Sequence, residues 1–414
     1  MRFDVLILKS KMLITKLLAI LVLSSGLGAC SSTDDEDPQD IVAELIEFEK
    51  KFEPKVLWNA SVGNGVKNHF SRIKPTVAYN KVFAASRDGD VIAFEQATGK
   101  ELWRADLSDV DNKSGFFDSQ QSAQLAGGPI TGMNRVFIGS ENGDMYALNA
   151  ETGDLDWHAK VKGEIINAPA IDLGILVVNS ASGVLKAFNA TSGDVLWKIQ
   201  QDVPALTLRG LSSPVVASGG VLIGQSDGSV TVYLLEKGQQ GWTSQIGEAS
   251  GSTELERVVD VDSSPVVFGD KVYSVASRGN LSALDLRTGK VLWKRKYSSY
   301  RQISISGNSI FFTTDSGQIY SINRNDGLEQ WSNATMINRG VTGPVVYDKY
   351  IVVGDFDGYL HWLNQETGEV VARHHVDGSG IHSTPTVVDD VLYSQARNGD
   401  LEAIQIPKMV DSAL

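Results

Sequence analysis

Apolar and polar positions along this chain come in short bursts that recur. The stretch Asp88 to Trp103, Asp-Gly-Asp-Val-Ile-Ala-Phe-Glu-Gln-Ala-Thr-Gly-Lys-Glu-Leu-Trp, begins again in recognisable form at Asn142, Ser182, Asp227, Arg278, Ser316, Asp357 and Asn398. Three offsets hold the copies in register: a proline 14 residues before the first glycine, a second glycine 10 after it and a tryptophan 14 after it. Repeats of this length point to blades, solenoids or arrays. Within the first copy the pattern predicts four short strands, Thr76 to Ala78, Lys81 to Ser86, Val91 to Glu95 and Glu101 to Ala105. Arg87-Asp88-Gly89 and Ala97-Thr98-Gly99 are the turns, where glycine supplies the positive φ of a tight hairpin. Val91-Ile92-Ala93-Phe94 has no polar gap, so this strand is expected to be covered on both faces.

Four-stranded units stacked radially form a β-propeller, which leaves only short, protected strand edges. Eight first glycines predict an all-β, eight-bladed propeller of four-stranded antiparallel blades. The eighth copy runs out after Ile404 with no fourth strand and no tryptophan. Val56-Leu57-Trp58 resembles the missing strand, so an N-terminal strand should complete the last blade and remove an open edge. The expected domains are a signal peptide at 1–29, a tether at 30–53, the propeller at 54–407 and a tail at 408–414. Within the tether, Ile41, Leu45, Phe48 and Phe52 stand at helical spacing and predict a short amphipathic helix.

The start of the chain changes the picture. Lys9, Lys11 and Lys16 precede the apolar run Leu17 to Leu23, and Leu27-Gly28-Ala29-Cys30 follows. The run is too short to span a bilayer, and small residues before a lone cysteine look like a bacterial lipoprotein signal with Cys30 as the lipid-bearing residue. Met12 would be the more usual start of such a signal. With Ser31 after the cysteine, the resemblance to proteobacterial lipoproteins implies the periplasmic side of the outer membrane. One cysteine excludes an intrachain disulfide. Formal net charge is −13 for the whole chain, and −16 once the four basic and one acidic residues of 1–29 are gone. So acidic a domain is a poor ligand for nucleic acid or anionic headgroups.

What differs between repeats should carry recognition. The distance from the tryptophan position to the next proline position runs 17, 26, 12, 17, 23, 10, 13 and 13 residues round the ring, so the length variation falls in the inter-blade connections, on one face. Loops on a rigid scaffold are where binding usually resides. Three connections stand out: 106–128 with Phe116 and Phe117, 202–210 with Leu206, Leu208 and Arg209, and 250–264 with Arg257, Asp260 and Asp262. The last two flank one blade and should be neighbours. Apolar residues beside an arginine and carboxylates suit a protein-binding patch, although the leucines could equally pack beneath the loops and the charges pair with each other.

The tryptophan blades look like quinoprotein-type repeats. The loops Asp-Val-Pro-Ala-Leu-Thr-Leu-Arg-Gly and Gly-Ser-Thr-Glu-Leu-Glu-Arg with Asp-Val-Asp closely resemble those of the BamB family, propeller lipoproteins of the outer-membrane β-barrel assembly machinery. The resemblance implies binding to the periplasmic domains of the machinery's central barrel subunit through Leu206, Leu208, Arg209, Asp260 and Asp262, in support of β-barrel insertion. Arg257 is added from its place in the loop.

An enzyme is the rival class, since quinoprotein dehydrogenases hold pyrroloquinoline quinone and calcium among similar blades. Against it stand the lack of an adjacent cysteine pair, the few large insertions and the absence of carboxylates at calcium-ligand spacing. His69, His158, His361, His374, His375 and His382 show no metal-ligand spacing either. No cofactor and no metal are expected. A third reading is a platform that takes a strand of an unfolded barrel protein along an exposed blade edge. Two repeats depart from the pattern: the sixth has Ile303 for proline, and the seventh has Ala372 for tryptophan with Trp362 at the usual alanine position. The latter exchange conserves volume if the two side chains pack together.

Overall fold

In the computed structural model, which describes residues 41–108, 110, 122–204, 210–248, 252, 253 and 258–407, each repeat folds as a four-stranded antiparallel meander. Blade 1 spans Thr76–Asp106, blade 2 Leu125–Lys160, blade 3 Ala170–Gln200, blade 4 Val215–Gln245, blade 5 Val266–Arg295, blade 6 Ser304–Asn333 and blade 7 Val345–His375. Blade 8 is made of Thr386–Val388, Val391–Gln395 and Asp400–Gln405, completed by the strand Lys55–Ser61 from the other end of the chain. Trp58 there stands opposite Ala403, as Trp103 stands opposite Ala93. The ring is thus an eight-bladed propeller closed by its N-terminal strand, and no helix occurs among the described residues.

The second and third strands of each blade are the deeply covered ones, and Val91, Ile92, Ala93 and Phe94 are all buried. The core lies between blades as a series of apolar layers. One layer joins Phe137 and Met145 of blade 2 to Leu176, Val184 and Phe188 of blade 3. Another joins Val177 and Leu185 of blade 3 to Val221 and Ile223 of blade 4.

The repeat offsets have a physical cause. Trp103 donates its indole N–H to the carbonyl of Ala150 at 3.1 Å, and Trp157 donates to Ala190 at 3.0 Å, each reaching the outer turn of the next blade. Trp58, Trp197, Trp242, Trp293 and Trp331 do the same to Gln96, Leu235, Leu286, Arg324 and Gln365. Each acceptor lies three residues before the second repeat glycine. That glycine must be bare: a Cβ on Gly153 would come within 2.6 Å of the Trp103 ring, and one on Gly99 within 2.6 Å of Trp58. Blade–blade contact therefore fixes both the tryptophan and the glycine. A one-residue bulge precedes the tryptophan in the outer strand, and it turns Leu102, Leu196 and Leu292 to solvent.

Residues 42–54 are extended where helical spacing suggested a helix. Phe48 and Phe52 lie on one side at a period of two as well as at 3.6, and blade 7 supplies the partners that decide between them. Phe52 packs on Tyr350 at 5.0 Å and on Trp362 at 6.3 Å between ring centroids, while Arg373 lies 4.9 Å over the Phe48 ring. Carbonyls that a helix would have used internally are taken by side chains. Arg339 donates to Ala43 O at 3.0 Å and Arg373 to Ile46 O at 3.2 Å. Lys51 N donates to Val371 O of the outer strand at 2.8 Å, which ties the arm to blade 7.

Candidate functional site

The turn between the second and third strands of a blade and the connection to the next blade share one face. In blade 1, Leu107 N donates to Gly89 O at 3.0 Å and Ala123 N to Asp88 O at 2.8 Å. The variable connections therefore crown one rim. Of the residues expected to bind a partner, Asp260 and Asp262 are described; Leu206, Leu208, Arg209 and Arg257 lie outside the described residues, as do Cys30, Phe116 and Phe117.

The segment carrying the two aspartates is threaded between blades 4 and 5. Val261 N donates to Gln225 O at 3.1 Å, and Asp260 O accepts from Ser277 N at 2.8 Å. Gly224 leaves room for Val261, whose carbonyl would be 2.3 Å from an added Cβ. Neither carboxylate faces solvent: Asp260 is 1% and Asp262 3% exposed. Burial pushes the Asp262 carboxyl up to about 7, against the pull of the Arg72 guanidinium and with the help of Asp260 and Asp315.

The bases of the two flanking connections meet. A Cβ on Gly210 would fall 2.0 Å from Asp262 Oδ2, so glycine is what lets the end of the first loop sit on the second loop's aspartate. Ser213 N donates to Ser264 Oγ at 3.1 Å a few residues further on. Both bases are tied to the far side of the ring. Arg72, in the connection that enters blade 1, donates through Nη1 to Leu211 O at 3.1 Å, Asp262 O at 3.2 Å and Asn167 Oδ1 at 3.4 Å. Arg72, Leu211 and Asp262 each stand three residues before the position of the repeat proline. Burial lowers the Arg72 guanidinium below its usual range, and Asp262 partly restores it. Sequence reasoning missed Arg72; the visible signal was a charged residue at the repeat position that Asp262 also fills.

Beside this junction lies a cleft of about 200 Å³ between blades 3 and 4, lined by Val203, Gly210, Leu211, Gln225 and Ser226 among others. The rim presents the joined bases of two connections beside a small cleft. Among the described residues, no group of three or more His, Cys, Asp or Glu side chains is placed to hold a metal ion.

A family model described as outer membrane protein assembly factor BamB matches residues 41–116, 87–333 and 322–408. The chain belongs to the BamB family. The BamB of Shewanella oneidensis is 43% identical over 382 residues, covering 92% of this chain and 96% of the relative. That of Escherichia coli K12 is 41% identical over 394 residues, covering 95% and 98%. The crystal structure of BamB from Moraxella catarrhalis superposes with a TM-score of 0.75 at 25% identity, over 85% of this chain and 99% of that one. A quinohemoprotein alcohol dehydrogenase from Comamonas testosteroni gives a TM-score of 0.66 at 13% identity, over 87% and 78%, a likeness of fold alone. The matched ranges include the closing strand, Arg72 and both loop bases.

Proposed function

We propose that the chain is a non-enzymatic assembly factor of the outer membrane, a lipoprotein held through Cys30 on the periplasmic side. Its braced rim binds the periplasmic domains of the central barrel subunit and so supports folding and insertion of β-barrel proteins. The observation that carries this reading is the junction of Gly210, Asp262 and Arg72, which joins the two loops of a BamB-family chain at one place on the rim. Leu206, Leu208 and Arg209 supply the contacts. Asp260 and Asp262, being buried, act by holding the loops in shape. A photocrosslinker at position 208 should give adducts with the central barrel subunit, and one at Leu155, on the outer strand of blade 2, should not. Adducts from 155 with none from 208 would end the assignment of the rim.

A second role has its own observation. The arm on blade 7, where Lys51 N donates to Val371 O of the outer strand, supports a role for outer blade edges in holding an extended chain. The outer edges of other blades could take a strand of an unfolded barrel protein in the same way. Hydrogen exchange of the outer strands with and without such a protein tests it, and unchanged protection counts against it.

A further inference from the structure

The first strands of successive blades lie next to one another round the axis, so the segments leading into them form the mouth of the axial channel. On blades 6, 7, 8 and 1 these segments are in direct contact. Ser304 Oγ donates to Pro344 O, and Thr386 Oγ1 donates to Pro75 O at 2.7 Å. A Cβ on Gly343 would fall 2.5 Å from Gln302 O and 3.1 Å from Thr384 Oγ1, so the three approaches of blades 6 to 8 converge at that glycine. This arc carries Arg301 beside Gln302, His382 two residues before Thr384, and Lys74 next to Pro75, with Arg72 close behind.

In a chain with 50 acidic and 37 basic residues, the mouth has gathered cations. Their own partners are few. Arg301 Nε is buried with no hydrogen-bond partner, and its guanidinium lies 4.8 Å over the Tyr300 ring. Lys74 forms no ion pair among the described residues; its side chain reaches solvent, yet surrounding protein lowers its ammonium below the usual lysine range. Burial lowers both the Arg72 guanidinium and the His382 imidazole, with Arg301 adding to each and Arg397 adding to the histidine. Two carboxylates are within reach and both are engaged. Asp262 is turned onto Gly210, and Asp315 accepts from Ser298 Oγ at 2.7 Å.

Like charges held together by the backbone of four blades call for a counter-charge. We propose that the axial mouth of this propeller is a binding site for a multivalent oxyanion, a phosphate or a polycarboxylate, held by Arg301 and Lys74 with Arg72 and His382 at its edge. A guanidinium and an ammonium carried on adjoining segments of one mouth suit oxygens borne on a single small anion.

The test is calorimetric titration of the full-length lipoprotein in detergent with sodium phosphate and, separately, sodium citrate, both against chloride at constant ionic strength. Saturable binding of one equivalent is expected for at least one of them, and the tighter one identifies the oxyanion class. Arg301→Gln and Lys74→Gln should each weaken it about tenfold or more. Lys237→Gln, on an outer turn of blade 4, should leave it unchanged. Lys74→Gln removes an unpaired side chain and keeps the test valid if Arg301→Gln misfolds. Absence of saturable heat with both anions, or equal affinity in Lys74→Gln and the parent, overturns the site.

Discussion

Trp362 stands directly opposite Ala372 across the third and fourth strands of blade 7, and both are fully buried in one apolar layer. In blades 1, 2, 3, 5 and 8 the order is reversed, with alanine on the third strand and tryptophan on the fourth. The reversal follows from where the ring closes. A fourth-strand tryptophan docks on the outer turn of the next blade. Blade 8 has no such turn, because its outer strand comes from the other end of the chain. The indole therefore moves inward, and Phe52 of the arm covers it.

Trp362→Ala should cost about 3–5 kcal/mol, the usual penalty for emptying a large buried aromatic site. The exchanged variant Trp362→Ala with Ala372→Trp restores volume but not a hydrogen-bond acceptor, so its recovery should be partial. Urea denaturation of the three proteins measures this. Full recovery in the double variant would mean that blade 8 offers no different neighbour from the others.

Ring closure makes a separate demand. Removing 54–62 takes away the outer strand of blade 8 and the Trp58 contact with Gln96 O at 2.9 Å, so the melting temperature should fall sharply. Removing residues 31–40 instead should leave it nearly unchanged. Equal melting of both deletions would refute closure by this strand.

Arg339 is 3% exposed and donates to Asp355 at 2.8 and 3.0 Å, to Asp357 at 2.6 Å and to the arm at Ala43 O. Asp355 is fully buried and also bonds His361 at 3.0 Å. Burial alone would raise the Asp355 carboxyl, but hydrogen bonds from His361 and Arg339 hold it below its usual range. Arg339→Ala leaves that carboxylate without its arginine, at a cost of about 3–5 kcal/mol. It should also release the arm, seen as faster amide exchange at 43–51. Unaltered exchange there would show that Phe48 and Phe52 suffice.

The blades were legible in the sequence because each offset answers one local contact: a glycine for the indole laid on it, a tryptophan for the turn it reaches. The exchange of Trp362 and Ala372 was legible for the same reason. Arm conformation was not, since Phe48 and Phe52 share a side at either period and only Tyr350 and Trp362 decide. Arg72 was invisible as a brace because its partners Leu211 and Asp262 are 139 and 190 residues away. Asp260 and Asp262 were found as candidates from their loop, but nothing local announces that both are buried.

Asp262 gives the chain a pH dependence of known sign. Its carboxyl is at about 7 in the fold against 3.8 ordinarily, so the folded state holds the proton more tightly than the unfolded chain does. That contribution to stability is complete below about pH 4 and is lost as pH rises through 7. Asp262→Asn cannot ionise, so its stability relative to the parent should improve between pH 5 and pH 8. Paired urea titrations at both values decide it, and a difference independent of pH would show that Asp262 stays ionised throughout.

Recognition and stability should separate on the rim. Leu208 and Arg209 belong to a loop whose base is fixed by Gly210, Arg72 and Ser264. If these side chains serve recognition, Leu208→Ala and Arg209→Ala should each leave unfolding within about 0.5 kcal/mol of the parent. Both should reduce recovery of the central barrel subunit in co-purification, by an arginine or leucine anchor's share of a small interface. Trp197→Ala should behave in the opposite way. Its indole holds blade 3 to Leu235 O of blade 4 at 2.8 Å, and its loss should cost about 3–5 kcal/mol while the rim loops keep their residues. Melting curves and co-purification on the same preparations read both axes. If Arg209→Ala and Leu208→Ala melt early and still retain the partner, the loop serves the fold, and recognition must be sought elsewhere on the ring.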